Sequence, residues 1–119
     1  MNGGKSRVAI DFADTQNLEE LSNIAETSDI ILSDLSPAEI EDFGIAGMGG
    51  ERTRARVFIT PFGRSGSYRD FKATSATLNA LGGSTWLSGD IDREPLTLPG
   101  QYCYYQAGSI AYVNAMSQC

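Results

Sequence analysis

The stretch Ala55-Arg-Val-Phe-Ile-Thr-Pro-Phe-Gly-Arg-Ser-Gly-Ser-Tyr-Arg-Asp70 decides the fold of this chain. Its β-branched and aromatic residues predict a strand over residues 56–59, which runs into a loop rich in Pro, Gly and Ser. Open α/β sheets bind ligands in the crevice beyond the carboxyl ends of their strands. Most such loops serve only as turns, but this one can expose backbone N–H groups to a phosphate or a thioester oxygen. The stretch therefore predicts an α/β fold with a candidate site near residues 63–67.

Two further strand-helix steps are predicted upstream of this stretch. Residues 7–12 predict a first strand, and Asp14 or Thr15 then caps a helix. Residues 29–32 predict a short buried strand, followed by the capping box Ser36-Pro37-Ala38-Glu39. With the strand over residues 56–59, the pattern predicts an open, parallel, Rossmann-like sheet of about three strands with flanking helices.

The remaining segments are predicted to be helices and connectors. Residues 44–50 are rich in glycine but do not follow a strand, so they are interpreted as a connector and not as a dinucleotide loop. Residues 73–81 predict a helix, residues 85–99 an irregular crossing segment, and Gln101 to about Ser117 a last helix. Spacings of three and four predict a packed face on this last helix, made of Tyr102, Tyr105, Ser109, Tyr112 and Met116.

Composition limits the class of protein. The chain has 119 residues, 41% of them hydrophobic and 20% charged, which suits one domain over residues 1–119 with a modest core. A net charge of -6 argues against a nucleic-acid partner. Arg52, Arg54 and Arg56 alternate, which favours a solvated strand face. No apolar run reaches the roughly 18 residues of a membrane helix and no signal peptide is evident, so a cytoplasmic protein without a membrane partner is expected.

The residue types present also limit the chemistry. There is no histidine, which removes the commonest general base and the commonest zinc ligand, and no metal site is predicted. Cys103 and Cys119 are expected to be free thiols in a reducing compartment. Most hydrolase and metalloenzyme functions are therefore excluded.

Several blocks of the sequence follow one another as they do in a known family. Residues 2–12, 28–37 and 62–70 resemble consecutive blocks of the class III CoA-transferases, the formyl-CoA and carnitine-CoA transferase family, and the resemblance continues over residues 89–96 and 106–108. It covers nearly the whole chain but only the central part of a family member, so it implies a partial version of the family's N-terminal domain. The resemblance also implies acyl-CoA substrates, interlocked chains, and an aspartate that attacks the thioester to form an anhydride.

The sequence departs from the family at two important places. Aligned on Pro95 and Gly108, the family's aspartate position falls on Tyr104, and a neutral phenol is a poor nucleophile toward a thioester. No catalytic residue is assigned there. Where the family has Asn-Phe-Arg, this chain has Asp34-Leu35-Ser36, which removes a cation near the CoA phosphates and adds an anion. The absence of histidine excludes the proton-transfer route of the family's racemase branch.

The resemblance also implies residues that bind CoA. These are Lys5, Asp34, Leu35, Gly63 and Gly66. A lone exposed lysine is commonly only solvated, and the two glycines suit turn geometry equally well.

Three carboxylates are candidates to replace the missing nucleophile. Asp11 is expected to face solvent, whereas Asp34 and Asp70 are expected to cap the helices that follow them. None of the three lies at the family's catalytic position.

Three functions remain open on the sequence alone. In the first, the chain is a CoA-transferase-like domain that is inactive by itself and works with a second copy or a partner chain. In the second, it is an active transferase with an unexpected nucleophile or one supplied by another chain. In the third, it is a non-catalytic module that binds CoA or another nucleotide, or a scaffold that associates with a partner chain. A partial parallel sheet leaves unpaired strand edges and an exposed apolar face, which favours an oligomer. CoA is expected as substrate or ligand, and no covalently bound cofactor is expected.

Overall fold

The computed structural model describes residues 3–119 as a mixed α/β structure. Its elements, in chain order, are helix α1 (Thr15–Glu26), strand β1 (Ile30–Ser33), helix α2 (Pro37–Asp42), a 3-10 turn (Ile45–Gly47), strand β2 (Ala55–Phe58), and helices α3 (Ser75–Leu81), α4 (Ser84–Leu87) and α5 (Tyr102–Met116). Met1 and Asn2 lie outside the described residues. Asn2 belongs to the first block of family resemblance, residues 2–12.

The sheet consists of β1 and β2, which pair in parallel. Ile30 lies opposite Ala55 and Ser33 opposite Phe58. The backbone N–H of Ile59 donates to the carbonyl of Ser33 at 2.8 Å, which continues the pairing one residue past the end of β2. Both strands were predicted, each to within one residue. Because they are parallel and in register, their carboxyl ends meet at one edge of the sheet.

The prediction of a strand at residues 7–12 is wrong. This segment has no strand structure, and Val8 is 53% exposed. A β-strand needs a hydrogen-bonding partner, and within residues 3–119 the sheet contains β1 and β2 alone. Phe12 instead stacks on Phe43, with ring centroids 4.5 Å apart, which anchors the segment beside the end of α2. The sheet therefore has two strands and not about three.

The first two helices begin where their caps predict. The carboxylate of Asp14 accepts from the backbone N–H of Gln16 at 3.0 Å. In the capping box, the Ser36 hydroxyl accepts from the N–H of Glu39 at 3.3 Å, and the Glu39 carboxylate accepts from the N–H of Ser36 at 2.9 Å. This fixes the entry of the chain into α2 and buries Ile40 completely.

The glycine-rich segment after α2 is not wholly an irregular connector. Gly44 has a φ of +67°, the left-handed conformation in which glycine commonly ends a helix. It leads into the 3-10 turn, which brings Ile45 into the core. This turn was not predicted, because a short 3-10 turn has no distinctive residue pattern of its own.

Two cap predictions and part of an irregular segment need correction. The N-cap of α3 is Thr74 and not Asp70, whose carboxylate instead accepts from Nε of Arg69 at 3.2 Å. The N-cap of α2 is Ser36, so Asp34 does not occupy the capping position. Within the segment 85–99, predicted to be irregular, α4 occupies Ser84–Leu87.

The predicted packed face of α5 is also wrong. Tyr102, Tyr105, Tyr112 and Met116 are between 40% and 66% exposed. The helix packs instead on β2 and α3 through small residues spaced four apart, which are Cys103, Ala107, Ala111 and Ala115. Because α5 is apolar nearly all round, periodicity alone cannot select a face, and small side chains allow the closest approach to the sheet.

The core of the chain is small. The buried apolar residues are Ala25, Ile40, Ile45, Ala55, Ala111 and Ala115. The radius of gyration is 17.3 Å, whereas a compact domain of this length has one of about 13 to 14 Å. Many large apolar side chains, among them Trp86 and Leu87, therefore remain at the surface.

The three alternating arginines are exposed, as predicted for a solvated face. Each nevertheless has a partner. Arg52 binds the Asp29 carboxylate at 2.7 Å, and this hydrogen bond holds the pKa of Asp29 below its usual range. Arg54 and Arg56 donate to backbone carbonyls, of Cys119 and Met48 respectively. The arginines thus connect the ends of β1, β2 and α5.

Candidate functional site

Two adjoining clefts open at the carboxyl edge of the sheet. The inner cleft, of about 380 Å³, lies between the strand ends and the beginning of α5. The outer cleft, of about 570 Å³, lies between the beginning of α2 and the segment leading to α3. Asp34 and Pro61 line both clefts, because each follows a strand of the parallel pair. This is the place where open α/β sheets hold their ligands.

The inner cleft is mostly apolar. Ile59 and Pro61 line it beyond β2, Leu78 reaches it from α3, and Ala107 from α5. Its polar groups are the side chains of Asp34, Thr60, Cys103 and Tyr104. Tyr104, which the resemblance aligns with the family's nucleophile, is half exposed here. The fold thus brings the carboxylate of Asp34 and the phenol of Tyr104 to one cavity.

Cys103 joins two of the helices that form the inner cleft. Its half-buried thiol donates to the hydroxyl of Ser75 at 3.1 Å, which ties the beginning of α5 to the beginning of α3. Cys119 is exposed, and both cysteines are free, as predicted. Cys103 was not predicted as a site residue. Its place in the sequence directly before Tyr104 was the one signal that it lies at the inner cleft.

Arg69 is the cation most fully paired in the outer cleft. Its two Nη atoms donate to the carboxylate of Glu41 at 3.0 and 2.9 Å, and its Nε donates to Asp70 at 3.2 Å. The hydrogen bond from Arg69 lowers the pKa of Glu41, and the two carboxylates raise the pKa of Arg69. These bonds leave little of its charge for a ligand.

Lys72 also lines the outer cleft, and unlike Arg69 it is not paired with a carboxylate of the described residues. Among residues 3–119, no carboxylate lies within ion-pair distance of its amine. On the opposite wall, the hydrogen bond from the Ser36 hydroxyl lowers the pKa of Glu39. Lys72 is therefore the cation of the outer cleft that is available to an anionic ligand.

The loop between β2 and α3 is held together by its own aromatic side chains. The ring centroids of Phe62 and Tyr68 are 6.2 Å apart, those of Tyr68 and Phe71 5.2 Å, and those of Phe62 and Phe71 6.4 Å. The guanidinium of Arg64 lies 4.4 Å from the centroid of the Phe58 ring. These contacts set the position of Phe71, which lines the outer cleft.

The residues expected to bind CoA are not all at the clefts. Asp34 lines both clefts and Leu35 the outer one. Gly63 and Gly66 lie in the neighbouring loop with φ values of +84° and +94°, outside the lining of either cleft. No atom lies within 4 Å of the Cβ position of either glycine, and the positive φ alone favours glycine at both positions.

Three other charged residues were candidates from the sequence, and one of them lies at a cleft. Lys5 and Asp11 are exposed in the N-terminal segment and line neither cleft. The Asp11 carboxylate accepts from the N–H of Ala13 at 2.9 Å, in a local turn. Asp70 lines the outer cleft, paired with Arg69.

Two kinds of feature are absent from the part of the chain that the structure describes. Residues 3–119 contain no cluster of His, Cys, Asp and Glu side chains that could ligate a metal ion. Over the same residues, no helix combines the length and the apolarity that crossing a bilayer would require.

With a cleft at the carboxyl edge of a parallel sheet in place, comparison with known proteins defines the class. The whole chain, residues 1–119, matches the model of CoA-transferase family III, and the chain belongs to this family. The family resemblance predicted from the sequence blocks is confirmed.

Similar proteins extend well beyond this chain. It is 26% identical over 117 residues to the succinyl-CoA:(R)-benzylsuccinate CoA-transferase subunit BbsE of Thauera aromatica, an alignment that covers 96% of this chain and 28% of that protein. Among solved structures it is similar to Rv3272 of Mycobacterium tuberculosis, with a TM-score of 0.78 at 20% identity, covering 98% of this chain and 34% of the other. A mutant of Rv3272 gives a TM-score of 0.76 at the same identity. The chain thus spans about a third or less of the length of these relatives.

Proposed function

We propose that this chain binds an acyl-CoA thioester in the two clefts and works in a CoA-transferase assembly whose acyl-accepting carboxylate comes from a partner chain. Family membership supports CoA thioesters as the ligand class. The observation that carries the proposal is the position of Tyr104 in the inner cleft. Its phenol stands where the family's mechanism requires a carboxylate, and a neutral phenol does not attack a thioester efficiently.

The two clefts suit the two parts of an acyl-CoA molecule. Lys72 offers an amine to the phosphates in the outer cleft, while the inner cleft offers apolar walls to the acyl group. The outer cleft also contains the carboxylates of Asp34 and Glu39, which oppose a phosphate. The chain is therefore expected to bind CoA weakly, and a partner would supply further cations.

The exposed surface of α5 supports association with a partner chain. Ile110, Tyr112 and Val113 are each more than 60% exposed, and a shallow groove runs along Ser109, Ile110, Val113 and Asn114. Contiguous apolar surface of this kind is typical of protein-protein interfaces. Analytical ultracentrifugation at low micromolar concentration tests this part, and a monodisperse monomer would contradict it.

Calorimetric titration with CoA, acetyl-CoA and ATP tests ligand binding. We expect weak binding of CoA and acetyl-CoA and weaker binding of ATP, since ATP has phosphates for the outer cleft but no pantetheine arm or acyl group to enter the inner one. If the folded chain gives no heat with any of the three, the binding part of the proposal fails and only a scaffolding role remains.

A second function is favoured by one observation, the presence of Asp34 in the same cleft as Tyr104. In this alternative the chain is itself a transferase, and Asp34 accepts the acyl group. A carboxylate oxygen of Asp34 would attack the thioester carbonyl, the C–S bond would break, CoA would leave as thiolate, and a mixed anhydride would remain on Asp34.

Hydroxylamine distinguishes the two functions. It would convert an anhydride on Asp34 into a hydroxamate that mass spectrometry locates to that residue. The variant Asp34→Asn should abolish this adduct, and the matched control Asp42→Asn, at an exposed carboxylate that lines neither cleft, should retain it. The absence of any adduct from several acyl-CoA donors, with folded protein, would exclude the second function.

A further inference from the structure

The inner cleft has an unequal distribution of charge. Among the described residues that line it, Asp34 is the one Asp, Glu, Lys or Arg, and it is exposed. The other polar groups in the lining, the Thr60 hydroxyl, the Tyr104 phenol and the Cys103 thiol, are uncharged hydrogen-bonding groups. The lining contains no lysine or arginine.

Two cations line the adjoining outer cleft and not the inner one. Arg69 lines the outer cleft only and is bound to Glu41 and Asp70. Lys72 likewise lines the outer cleft and not the inner one. A negative group that enters the inner cleft therefore meets the Asp34 carboxylate without a compensating cation on these walls.

We infer that the inner cleft accepts acyl groups without a free carboxylate, with neutral aliphatic acyl chains as the preferred class, and rejects acyl groups that end in a carboxylate. The inference rests on the proposed function, since it concerns the acyl end of the same bound thioester. Ile59, Pro61 and Leu78 remove an aliphatic chain from water, which favours the neutral chain. A terminal carboxylate gains no such burial and is repelled by Asp34.

The two probes are butyryl-CoA and succinyl-CoA, which have acyl chains of the same carbon number and differ in the terminal group. Free CoA is titrated alongside them, in the full chain, by calorimetry. Wild-type protein is expected to bind butyryl-CoA about fivefold to tenfold more tightly than succinyl-CoA, the preference that one like-charge contact near a protein surface produces. Raising the ionic strength should reduce this preference.

Asp34→Asn removes the charge at nearly constant shape and should reduce the preference at least about twofold, leaving the part that comes from burial of the aliphatic chain. The matched control is Asp42→Asn, because Asp42 is exposed on α2 and lines neither cleft. This control should keep the wild-type preference. Circular dichroism of both variants checks that each is folded.

The possible results distinguish failure of the inference from failure of the proposed function on which it rests. If free CoA and butyryl-CoA both fail to bind, the proposed function fails and the inference fails with it. If both bind but succinyl-CoA binds as tightly as butyryl-CoA, the proposed function stands and the inference is overturned. If the preference is present but Asp34→Asn keeps it in full, the inference is also overturned, because Asp34 is then not its source.

Discussion

Arg69 and Glu41 form a bidentate ion pair, with nitrogen-oxygen distances of 3.0 and 2.9 Å. This pair ties the loop after β2 to the end of α2. The hydrogen bond from Arg69 holds the pKa of Glu41 below its usual range. A carboxyl group with a lowered folded-state pKa stabilises the fold above its unfolded pKa, and this stabilisation is lost as the pH falls through the folded pKa. The protein should therefore lose stability on acidification.

Arg69→Gln tests this relationship. The variant should be modestly less stable than wild type at pH 7, because both partners are partly exposed, and the two should converge toward about pH 3. Urea unfolding at the two pH values measures the effect. Arg93→Gln is the control, since Arg93 has no ion pair among residues 3–119. A stability difference that stays the same at both pH values would contradict the assignment.

Ile40→Ala should destabilise the protein strongly. Ile40 is fully buried, and truncating such a side chain leaves a cavity that costs about 2 to 5 kcal/mol. Chemical denaturation measures the loss. Ile91→Ala is the matched control, because Ile91 is 96% exposed and should change stability by no more than about 0.5 kcal/mol. Equal effects of the two substitutions would show that Ile40 is not in the core.

Lys72→Met should weaken CoA binding by about threefold to tenfold, the range for one exposed cation facing a phosphate. Lys5→Met provides the comparison, because the family resemblance points to Lys5 whereas the cleft contains Lys72. Calorimetric titration of both variants measures the change. If Lys5→Met alone weakens binding, the phosphates do not lie in the outer cleft.

Alkylation of Cys103 should report on occupancy of the inner cleft. In a Cys119→Ser background, Cys103 is the one remaining cysteine. Its half-buried thiol is expected to react slowly with iodoacetamide, and saturating butyryl-CoA should slow the reaction further. Mass spectrometry follows the rate. An unchanged rate at saturation would place the acyl group outside the inner cleft.

Tyr104→Asp should restore a carboxylate at the family's nucleophile position. We expect a hydroxylamine-sensitive acyl adduct at residue 104 when acyl-CoA is supplied with any partner chain that the assembly needs. Tyr105→Asp is the control, because Tyr105 is exposed and lines neither cleft. An adduct in the control, or in neither variant, would argue against the position assigned to the nucleophile.

Features that depend on neighbouring residues were predictable from the sequence. The capping box at Ser36 and Glu39 and the Asp14 cap are each complete within three residues of chain, so their hydrogen bonds follow from local pattern. The two strands were found because short β-branched runs bounded by turns are distinctive. Their parallel pairing also explains why Asp34 and Pro61 meet at one edge.

Features that depend on distant partners were not predictable. Residues 7–12 have a strand pattern, but the ladder that would make them a strand is absent from the described part of the chain. Both faces of α5 are apolar, so packing against β2 and not periodicity selects the alanine face. Lys72 was missed because its role depends on the pairing of Arg69 with Glu41, which is 28 positions away.

The alanines by which α5 rests on the sheet have one more effect. Ala107 belongs both to this row of small residues and to the wall of the inner cleft, so the space left for a guest molecule depends on how near the helix axis comes to the strand ends. Replacing Ala107 with a residue one or two methyl groups larger would narrow the inner cleft without changing any charged group. Ala107 thus sets the width of the inner cleft and Asp34 its charge, so each property can be changed without the other.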